Sequence, residues 1–178
     1  MTYHNLQAIF DSKKETLAKI SRLAERLSDE QAHLRPADGA WSVSDILEHL
    51  SIVDGNIVRL IGILTAKTEQ AGKKSDGNFE VSLEAFVERS RREKYVAQET
   101  ALPTGTKSPE DSLSLMTESQ SNLFLLKPRF EAIDCSFASA PHRVFGTLTL
   151  GQWIAFIGFH EERHHGQMER VVGGISES

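Results

Sequence analysis

The residue pattern with the clearest chemical meaning is a pair of histidines near the end of the chain, His160 and His164, followed by Gln167. Residues four apart on an α-helix lie about 40° apart around its axis, so both imidazoles can reach one point in space. Two imidazoles in that geometry can bind one divalent metal ion. All three polar residues interrupt an apolar stripe that includes Trp153 and Met168, and polar groups on a core face need a shared partner. The pattern therefore predicts a metal site, with Gln167 beside the ligands or facing a substrate.

A third candidate ligand is His49, the only other histidine on the core-facing stripe of a predicted helix. Three histidines without a fourth protein ligand leave positions open for water or substrate, as in catalytic zinc sites. An ion there could activate a water molecule as a nucleophile, or hold and activate a thiolate cosubstrate. The alternative is that each histidine donates a hydrogen bond to a carbonyl or carboxylate and binds no metal. His165 lies about 140° around the helix from His160 and is predicted to point elsewhere.

Glu161 and His142 are weak candidates for a catalytic acid or base, and the sequence alone assigns no catalytic residue. Glu161 and its flanking histidines match the zincin protease signature HExxH. A protease is not favoured, because position 167 is Gln where the extended metzincin pattern has Gly. Glu161 is about 100° around the helix from His160, so a solvated side chain is expected. His142 precedes the last helix and could approach the site.

The elements that must position these residues are predicted to be helices, because the apolar residues follow the helical period and almost nowhere alternate as in strands. Four long helices are expected, over about 6–27, 42–66, 109–130 and 149–174. Ser42 with Asp45, and Thr149 with Gln152, form capping pairs at two of the starts. Pro128 is predicted to kink or break the third long helix. Four such helices fit a four-helix bundle.

Shorter features lie between the long helices. A helical turn is predicted near 28–36, and loops are predicted at 67–78 and 141–146. A weaker helix is expected from Ser82 to about Gln98. It is carried by apolar and aromatic residues: Leu83, Phe86, Val87 and Tyr95. The segment 67–108 is therefore an insertion between the second and third bundle helices.

Length and composition set the class of protein. A chain of 178 residues suits one domain, 1–178, with a full hydrophobic core. The net charge of −5 argues against nucleic acid or an anionic membrane as a partner. Cys135 is the single cysteine, and with the absence of a signal-like N-terminus it favours the cytoplasm. The longest apolar-rich stretch, Ile57 to Leu64, is too short to span a bilayer.

Two longer motifs resemble those of a known family. The stretch 41–50, WSVSDILEHL, resembles the start of the second helix in the DinB/YfiT-like superfamily of metal-binding four-helix bundles. The stretch 145–149, FGTLT, followed by Trp153 and the pattern H-x-x-x-H-x-x-Q at 160–167, is similar to the C-terminal signature of that family. The resemblance covers nearly the whole chain.

The resemblance implies an up-down-down-up bundle, often a homodimer, with one zinc or nickel ion per chain held by His49, His160 and His164. Members with known activities include thiol transferases that use bacillithiol or mycothiol, a maleylpyruvate isomerase, and proteins named as metal-dependent hydrolases. The expected function is therefore metal-dependent transfer, with a low-molecular-weight thiol as cosubstrate, or hydrolysis of a small molecule. The alternative is a non-catalytic dimeric module that binds a metal or ligand in a stress response.

Overall fold

The computed structural model describes residues 1–37, 39–92 and 97–176, and its regular structure is predominantly α-helical. The helices are α1 (Leu6–Ala24), α2 (Asp29–His33), α3 (Val43–Gln70), α4 (Glu84–Arg92), α5 (Pro109–Leu125), α6 (Lys127–Ala132) and α7 (Leu150–Ser176). A 3₁₀ turn spans Glu99–Ala101. The strands are β1 (Thr2–Tyr3), β2 (Val81–Ser82), β3 (Ser139–His142) and β4 (Gly146–Thr149), paired antiparallel as β1 with β2 and β3 with β4. The predicted all-α class is confirmed.

The four long helices α1, α3, α5 and α7 form the bundle, with α1 and α3 each packed against both α5 and α7. Helices α1 and α7 run parallel. Lys13 bonds to Glu161, and Thr16, three residues later on α1, bonds to Glu162, the next residue on α7. Helix α3 is antiparallel to α7, because His49 near its start contacts His164, past the midpoint of α7.

Helix α5 runs antiparallel to α1. The ring of Phe124, near the end of α5, packs 4.7 Å from that of Phe10, in the first half of α1. Met116, one to two turns earlier on α5, belongs to the same apolar cluster as Leu17, further along α1. The directions of the four helices are therefore up, down, down, up, as the family resemblance implied.

Side-chain caps explain where the bundle helices begin. Ser42 and Asp45 form a reciprocal capping box at α3, and Thr149 and Gln152 bond to each other's backbone N–H groups at the start of α7. Ser108 caps α5, and Pro109 occupies its first turn. Both capping pairs expected from the sequence are present.

Several boundaries differ from the sequence prediction. Helix α3 continues to Gln70, beyond the predicted loop boundary at 67, because Thr65 and Thr68 are buried and their hydroxyls bond to carbonyls one turn earlier. The prediction of a loop over 141–146 was wrong at both ends. Its first two residues belong to β3 and its last, Gly146, begins β4, and these strands pair as a hairpin. The φ angle of Gly146 is +78°. Helix α7 also runs two residues past its expected end at 174.

Of the remaining expectations for the connections, the break in the third long helix is confirmed, and the weaker helix is shorter than predicted. The third long helix breaks at Leu126, and Pro128 lies in the first turn of α6, as predicted. The weaker helix predicted from Ser82 to about Gln98 is observed only as α4, Glu84–Arg92. Ser82 lies in β2, and Ala97 and Gln98 are not helical. Positions 93–96, including Tyr95, lie outside the described residues.

The interior of the bundle has two apolar clusters with a charged layer between them. One cluster contains Phe10, Ile57 and Phe156, and the other contains Leu17, Leu50 and Met168. Between them lie three fully buried charged side chains, which we call the charged layer: Lys13 of α1, Asp54 of α3 and Glu161 of α7. The layer therefore joins three of the four bundle helices.

Helix α3 is the one described helix that is long and apolar enough to cross a membrane, by length and composition only. Core helices of bundles meet the same criterion. Its sides pack on α5 and α7, and its buried residues include His49 and Asp54. Burial inside the bundle accounts for its apolar composition.

Candidate metal centre

The three histidines expected to bind metal lie together where α3 faces α7. Their ring centroids are 4.6 Å apart for His160 and His164, 4.9 Å for His49 and His164, and 5.3 Å for His49 and His160. One ring nitrogen from each lies within 4.8 Å of the others. Separations of this size leave room for one ion between the nitrogens, because Zn–N bonds are about 2.0–2.1 Å long.

Hydrogen bonds orient two of the three rings for a metal. Nδ1 of His49 lies 2.6 Å from the carbonyl oxygen of Ala101, and Nδ1 of His164 lies 3.0 Å from Oε1 of Gln167. Both partners are acceptors, so each Nδ1 carries the proton and each Nε2 offers a lone pair. A backbone carbonyl or amide oxygen behind a histidine is the arrangement that fixes metal-binding imidazoles.

The third ring has a nitrogen without a protein partner. Nδ1 of His160 is buried and, within the described part of the chain, makes no hydrogen bond. A buried polar atom of this kind is costly unless something binds it or the other nitrogen fixes the ring. The donor set, the two oriented rings and this orphaned atom together fit a divalent ion such as zinc.

The site keeps its histidines neutral. Burial lowers the pKa of His49 and His160, and it lowers the pKa of His164 to about 3. The other histidines and the nearby guanidinium of Arg163 lower the pKa of His160 and His164 further. The neutral imidazole is the form that binds a metal, so protonation does not compete with an ion at neutral pH. Nη1 of Arg163 lies 3.3 Å from Nε2 of His164 and has to give way to an ion bound at that nitrogen.

The segment that supplies the Ala101 carbonyl is anchored to α3 by Glu48. This buried carboxylate accepts hydrogen bonds from the backbone N–H groups of Thr104, at 3.0 Å, and Gly105, at 2.7 Å. It also accepts from the Thr104 hydroxyl and lies 3.4 Å from Nζ of Lys107. Burial alone would raise the pKa of the Glu48 carboxyl, but these donors lower it below its usual value. Two adjacent residues of α3 thus hold one segment: His49 bonds to Ala101 at its start, and Glu48 bonds to Thr104 and Gly105 at its end.

The substitution Glu48→Gln tests this anchor. An amide replaces one acceptor oxygen with a donor and removes the charge, so the segment loses hydrogen bonds and the free energy of unfolding should fall by about 1–3 kcal/mol. Metal affinity should fall with it, by roughly tenfold, because the partner of His49 is no longer held in place. Urea unfolding and metal titration measure the two effects. Glu118→Gln, at an exposed site on α5, should change neither, and equal behaviour of the two variants would contradict the anchoring role.

A cavity of about 710 Å³ opens onto the three histidines. Its wall is largely aromatic and apolar, and the described residues that form it come from α3, from the segment around the 3₁₀ turn, from the β3–β4 hairpin and from α7. They include Trp41, Val53, Ile57, Leu60, Leu102, His142, Phe145, Trp153, Phe156, Phe159, Arg163 and Gln167. The volume is in the range of small-molecule sites in enzymes.

The two weak catalytic candidates behave differently. His142 lines the cavity, and its Nδ1 accepts hydrogen bonds from the backbone of Val144 and Phe145, so its proton is on Nε2. Burial lowers the pKa of His142. Glu161 was expected to be solvated, and this was wrong: its side chain is fully buried, its Oε1 lies 2.5 Å from Nζ of Lys13, and it does not line the cavity.

The charged layer lies beside the histidines and was not foreseen. Nζ of Lys13 is 2.5 Å from Glu161 and 3.6 Å from Asp54. Burial raises the pKa of both carboxyls, and their mutual repulsion raises that of Glu161 further. A signal existed, since Lys13 lies midway between Phe10 and Leu17 on an apolar stripe. Arg163 was also missed, because a charged residue next to a predicted ligand is usually solvated.

Comparison with known proteins places the chain in a family. A family model for the DinB superfamily matches residues 14–168, a span that includes all three histidines. The chain belongs to the DinB superfamily. The predicted family is thereby confirmed.

Two relatives extend the comparison for this DinB superfamily member. It is 28% identical over 151 residues to the uncharacterized protein YuaE of Bacillus subtilis (strain 168), an alignment that covers 82% of this chain and 85% of YuaE. It superimposes on YfiT from Bacillus subtilis with a TM-score of 0.61 at 16% identity, covering 96% of this chain and 87% of YfiT. YfiT is described as a probable metal-dependent hydrolase with an unusual four-helix bundle topology. At 16% identity, the structural similarity to YfiT shows that the two proteins share a fold.

Proposed function

We propose that this DinB superfamily member is a metal-dependent enzyme that acts on a small molecule, with one zinc or nickel ion held by His49, His160 and His164. The observation that carries the proposal is that three neutral imidazoles, two of them oriented by hydrogen bonds, converge in the wall of a 710 Å³ cavity. When bound, a divalent ion supplies Lewis acidity that lowers the pKa of a coordinated thiol or water. Nickel and zinc both accept imidazole, so the donor set is compatible with either.

Transfer with a low-molecular-weight thiol is the reaction class we favour. Hydrolysis benefits from a general base beside the attacking water, and none of the described residues that line the cavity is Asp or Glu. Glu161 faces Lys13 instead, and Nδ1 of His142 is occupied by backbone donors. A thiol on a metal ion needs no such base, because coordination alone deprotonates it. The description of YfiT as a probable metal-dependent hydrolase supports hydrolysis as the second candidate.

The cavity also argues against the non-catalytic alternative. A pure binding module could close its metal with Gln167 or a loop. In this chain the amide oxygen of Gln167 bonds to Nδ1 of His164, and the three histidines line an open cavity. We further propose a cytoplasmic location, which suits a chain whose single thiol, Cys135, is buried with a pKa raised to about 12. The homodimer stays a prediction.

The test combines metal analysis with an activity screen. Purified protein should contain about one zinc or nickel ion per chain, and the variant with alanine at positions 49, 160 and 164 should contain none. The loaded protein is then assayed with cysteine or bacillithiol and the electrophile 1-chloro-2,4-dinitrobenzene for transfer, and with p-nitrophenyl esters for hydrolysis. Turnover that requires both the metal and the thiol supports transferase chemistry. Absence of metal from the wild type, even after incubation with zinc and nickel, would refute the site.

A further inference from the structure

His142 presents a hydrogen-bond donor to the cavity. Its side chain is half-buried and forms part of the cavity wall. Nδ1 accepts hydrogen bonds from the backbone N–H groups of Val144, at 3.1 Å, and Phe145, at 3.3 Å, so the ring proton is on Nε2. Nε2 has no hydrogen-bond partner within the described chain, and it is accessible rather than buried. This N–H is therefore available to a molecule bound in the cavity.

The β3–β4 hairpin fixes the orientation of this donor. His142 is the last residue of β3 and pairs with Gly146, the first residue of β4. Its ring folds back over the turn, where the two backbone N–H groups hold Nδ1. The ring also packs against Phe156 and Trp153, with centroid distances of 4.8 and 5.5 Å. Because the side chain is already ordered, a ligand that accepts its hydrogen bond pays little entropy for that contact.

The wall around this donor suits a flat, apolar ligand. Phe156 is the centre of an aromatic cluster, with its ring centroid 5.7 Å from those of Phe145 and Trp153. Nε1 of Trp153 donates to the carbonyl oxygen of Ala140, so the one polar atom of the indole is already bonded. Helix α3 adds three aliphatic side chains to the wall: Val53, Ile57 and Leu60. Burial of an aromatic ring against such a surface is favourable.

The same cluster connects the donor to the metal centre. The ring of Phe156 is 4.8 Å from that of His142 and 5.9 Å from that of the proposed ligand His160. We propose that the cavity binds an aromatic molecule that carries a neutral acceptor oxygen, as in a carbonyl or nitro group, and that Nε2–H of His142 donates a hydrogen bond to that oxygen. This proposal names the substrate class of the proposed metal centre and rests on that function.

The test uses three probes that separate the oxygen from the ring. Acetophenone has both, ethylbenzene has the ring with hydrogen atoms in place of the oxygen, and acetone has the oxygen without the ring. Each is titrated into ¹⁵N-labelled, zinc-loaded protein, and dissociation constants are obtained from ¹H–¹⁵N NMR shifts. We expect acetophenone to bind at least about tenfold more tightly than acetone, because only acetophenone buries a ring against the aromatic wall. Equal affinity of the two ketones would refute the aromatic class.

Variants of His142 test the hydrogen bond itself. His142→Asn keeps an acceptor for the turn, since an asparagine oxygen can bond to the backbone N–H two residues on, but it has no donor that reaches the Nε2 position. His142→Gln has an amide N–H at about that reach. Removal of each probe from water costs the same in every protein, so the ratio of acetophenone affinity to ethylbenzene affinity isolates the hydrogen bond. This ratio should fall about two- to tenfold in His142→Asn and less in His142→Gln. An unchanged ratio in His142→Asn would refute the contact.

A spectroscopic signal distinguishes a bonded donor from a change in packing. The Nε2–H of His142 should give a ring signal in the ¹⁵N-labelled wild type that is absent from His142→Asn and that shifts much more with acetophenone than with ethylbenzene. His4→Asn, at an exposed site, is the matched control and should resemble the wild type in both the affinity ratio and the ring signal. A ring signal that responds equally to both probes would assign the effect to packing and overturn the proposal.

Failure of the metal site can be separated from failure of the substrate class. Zinc content is measured for each protein before titration, and the titrations are repeated after removal of metal with EDTA. If the wild type takes up no zinc, the proposed function fails, while an affinity ratio that depends on His142 in metal-free protein still supports the substrate class. If the ratio changes on removal of zinc but not on replacement of His142, the metal holds the oxygen, and the contact with His142 is refuted.

Discussion

Replacement of His160 by alanine is expected to abolish stoichiometric metal binding and the thermal stabilisation that metal gives. His160 is the histidine whose buried Nδ1 has no partner among the described residues, and its ring lies within 5.3 Å of both other rings. Mutation of a residue that only hydrogen-bonds to a metal ligand typically lowers metal affinity about 10–100-fold. Loss of one of three ligands should cost more, so we expect metal affinity to fall by more than about 100-fold. At free metal about 100 times the dissociation constant, bound metal adds about 2.7 kcal/mol to stability. The wild type should therefore melt roughly 5–10 °C higher with metal than without.

The matched control for this prediction is His165→Ala. His165 follows the proposed ligand His164 directly, but its Nδ1 is 3.7 Å from Glu169, and it lines a separate surface pocket with Lys19 and Arg22 of α1 rather than the cavity. It should keep one metal ion per chain and the full shift in Tm. Differential scanning fluorimetry with and without zinc, together with elemental analysis, measures both. If His165→Ala lost metal to the same extent, the assignment of the two faces of α7 would be wrong.

The second large effect is expected from Lys13→Met, which should lower the free energy of unfolding by about 3–5 kcal/mol. Methionine fits the volume of the lysine stem but removes the ammonium that lies between Asp54 and Glu161. The two carboxylates are fully buried, and three of their oxygens already lack a hydrogen-bond partner within the described chain. Removal of their shared cation leaves two buried like charges unpaired. Chemical denaturation at pH 7 measures the loss, which corresponds to a fall in Tm of roughly 10 °C.

Three controls make that result specific. Lys14→Met changes the neighbouring lysine, which is exposed, and should stay within about 0.5 kcal/mol of the wild type. The double variant Lys13→Met with Glu161→Gln also removes one of the two carboxylate charges that repel each other. It should therefore recover part of the stability that Lys13→Met loses. Lys13 lowers the pKa of both carboxyls, so the folded Lys13→Met variant should bind more protons than the folded wild type, and its deficit should shrink as pH falls from 8 to 5. A deficit independent of pH would indicate lost packing rather than lost charge.

The parts of this structure that follow repeating rules could be predicted from the sequence. Apolar residues at helical spacing gave the bundle, and Ser42 with Asp45 marked the start of α3. The i, i+4 spacing of His160 and His164 placed both rings on one face. The end of α3 was missed because Thr65 and Thr68 look polar in a sequence, although their hydroxyls bond to the helix backbone.

The parts that depend on contacts between distant residues could not be predicted in the same way. Glu161 was expected in solvent because a carboxylate is rarely buried unless it is paired, and its partner Lys13 is on the first helix. The role of Glu48 depends on a segment 56 residues further along, whose irregular backbone gives no periodic signal. The position of Arg163 in the cavity wall beside His164 could not be predicted from the sequence, because several elements that are distant in the chain form that wall together.

The charged layer also bears on the biosynthesis of this protein. Lys13 and Glu161 are 148 residues apart, so the ammonium group leaves the ribosome well before the helix that carries its carboxylate partner. Before α7 docks, closing α1 on α3 gives Lys13 only its longer contact, 3.6 Å to Asp54, and leaves out the shorter one to Glu161. We therefore expect the charged layer to be completed only when α7, the helix that carries His160 and His164, packs on the other helices.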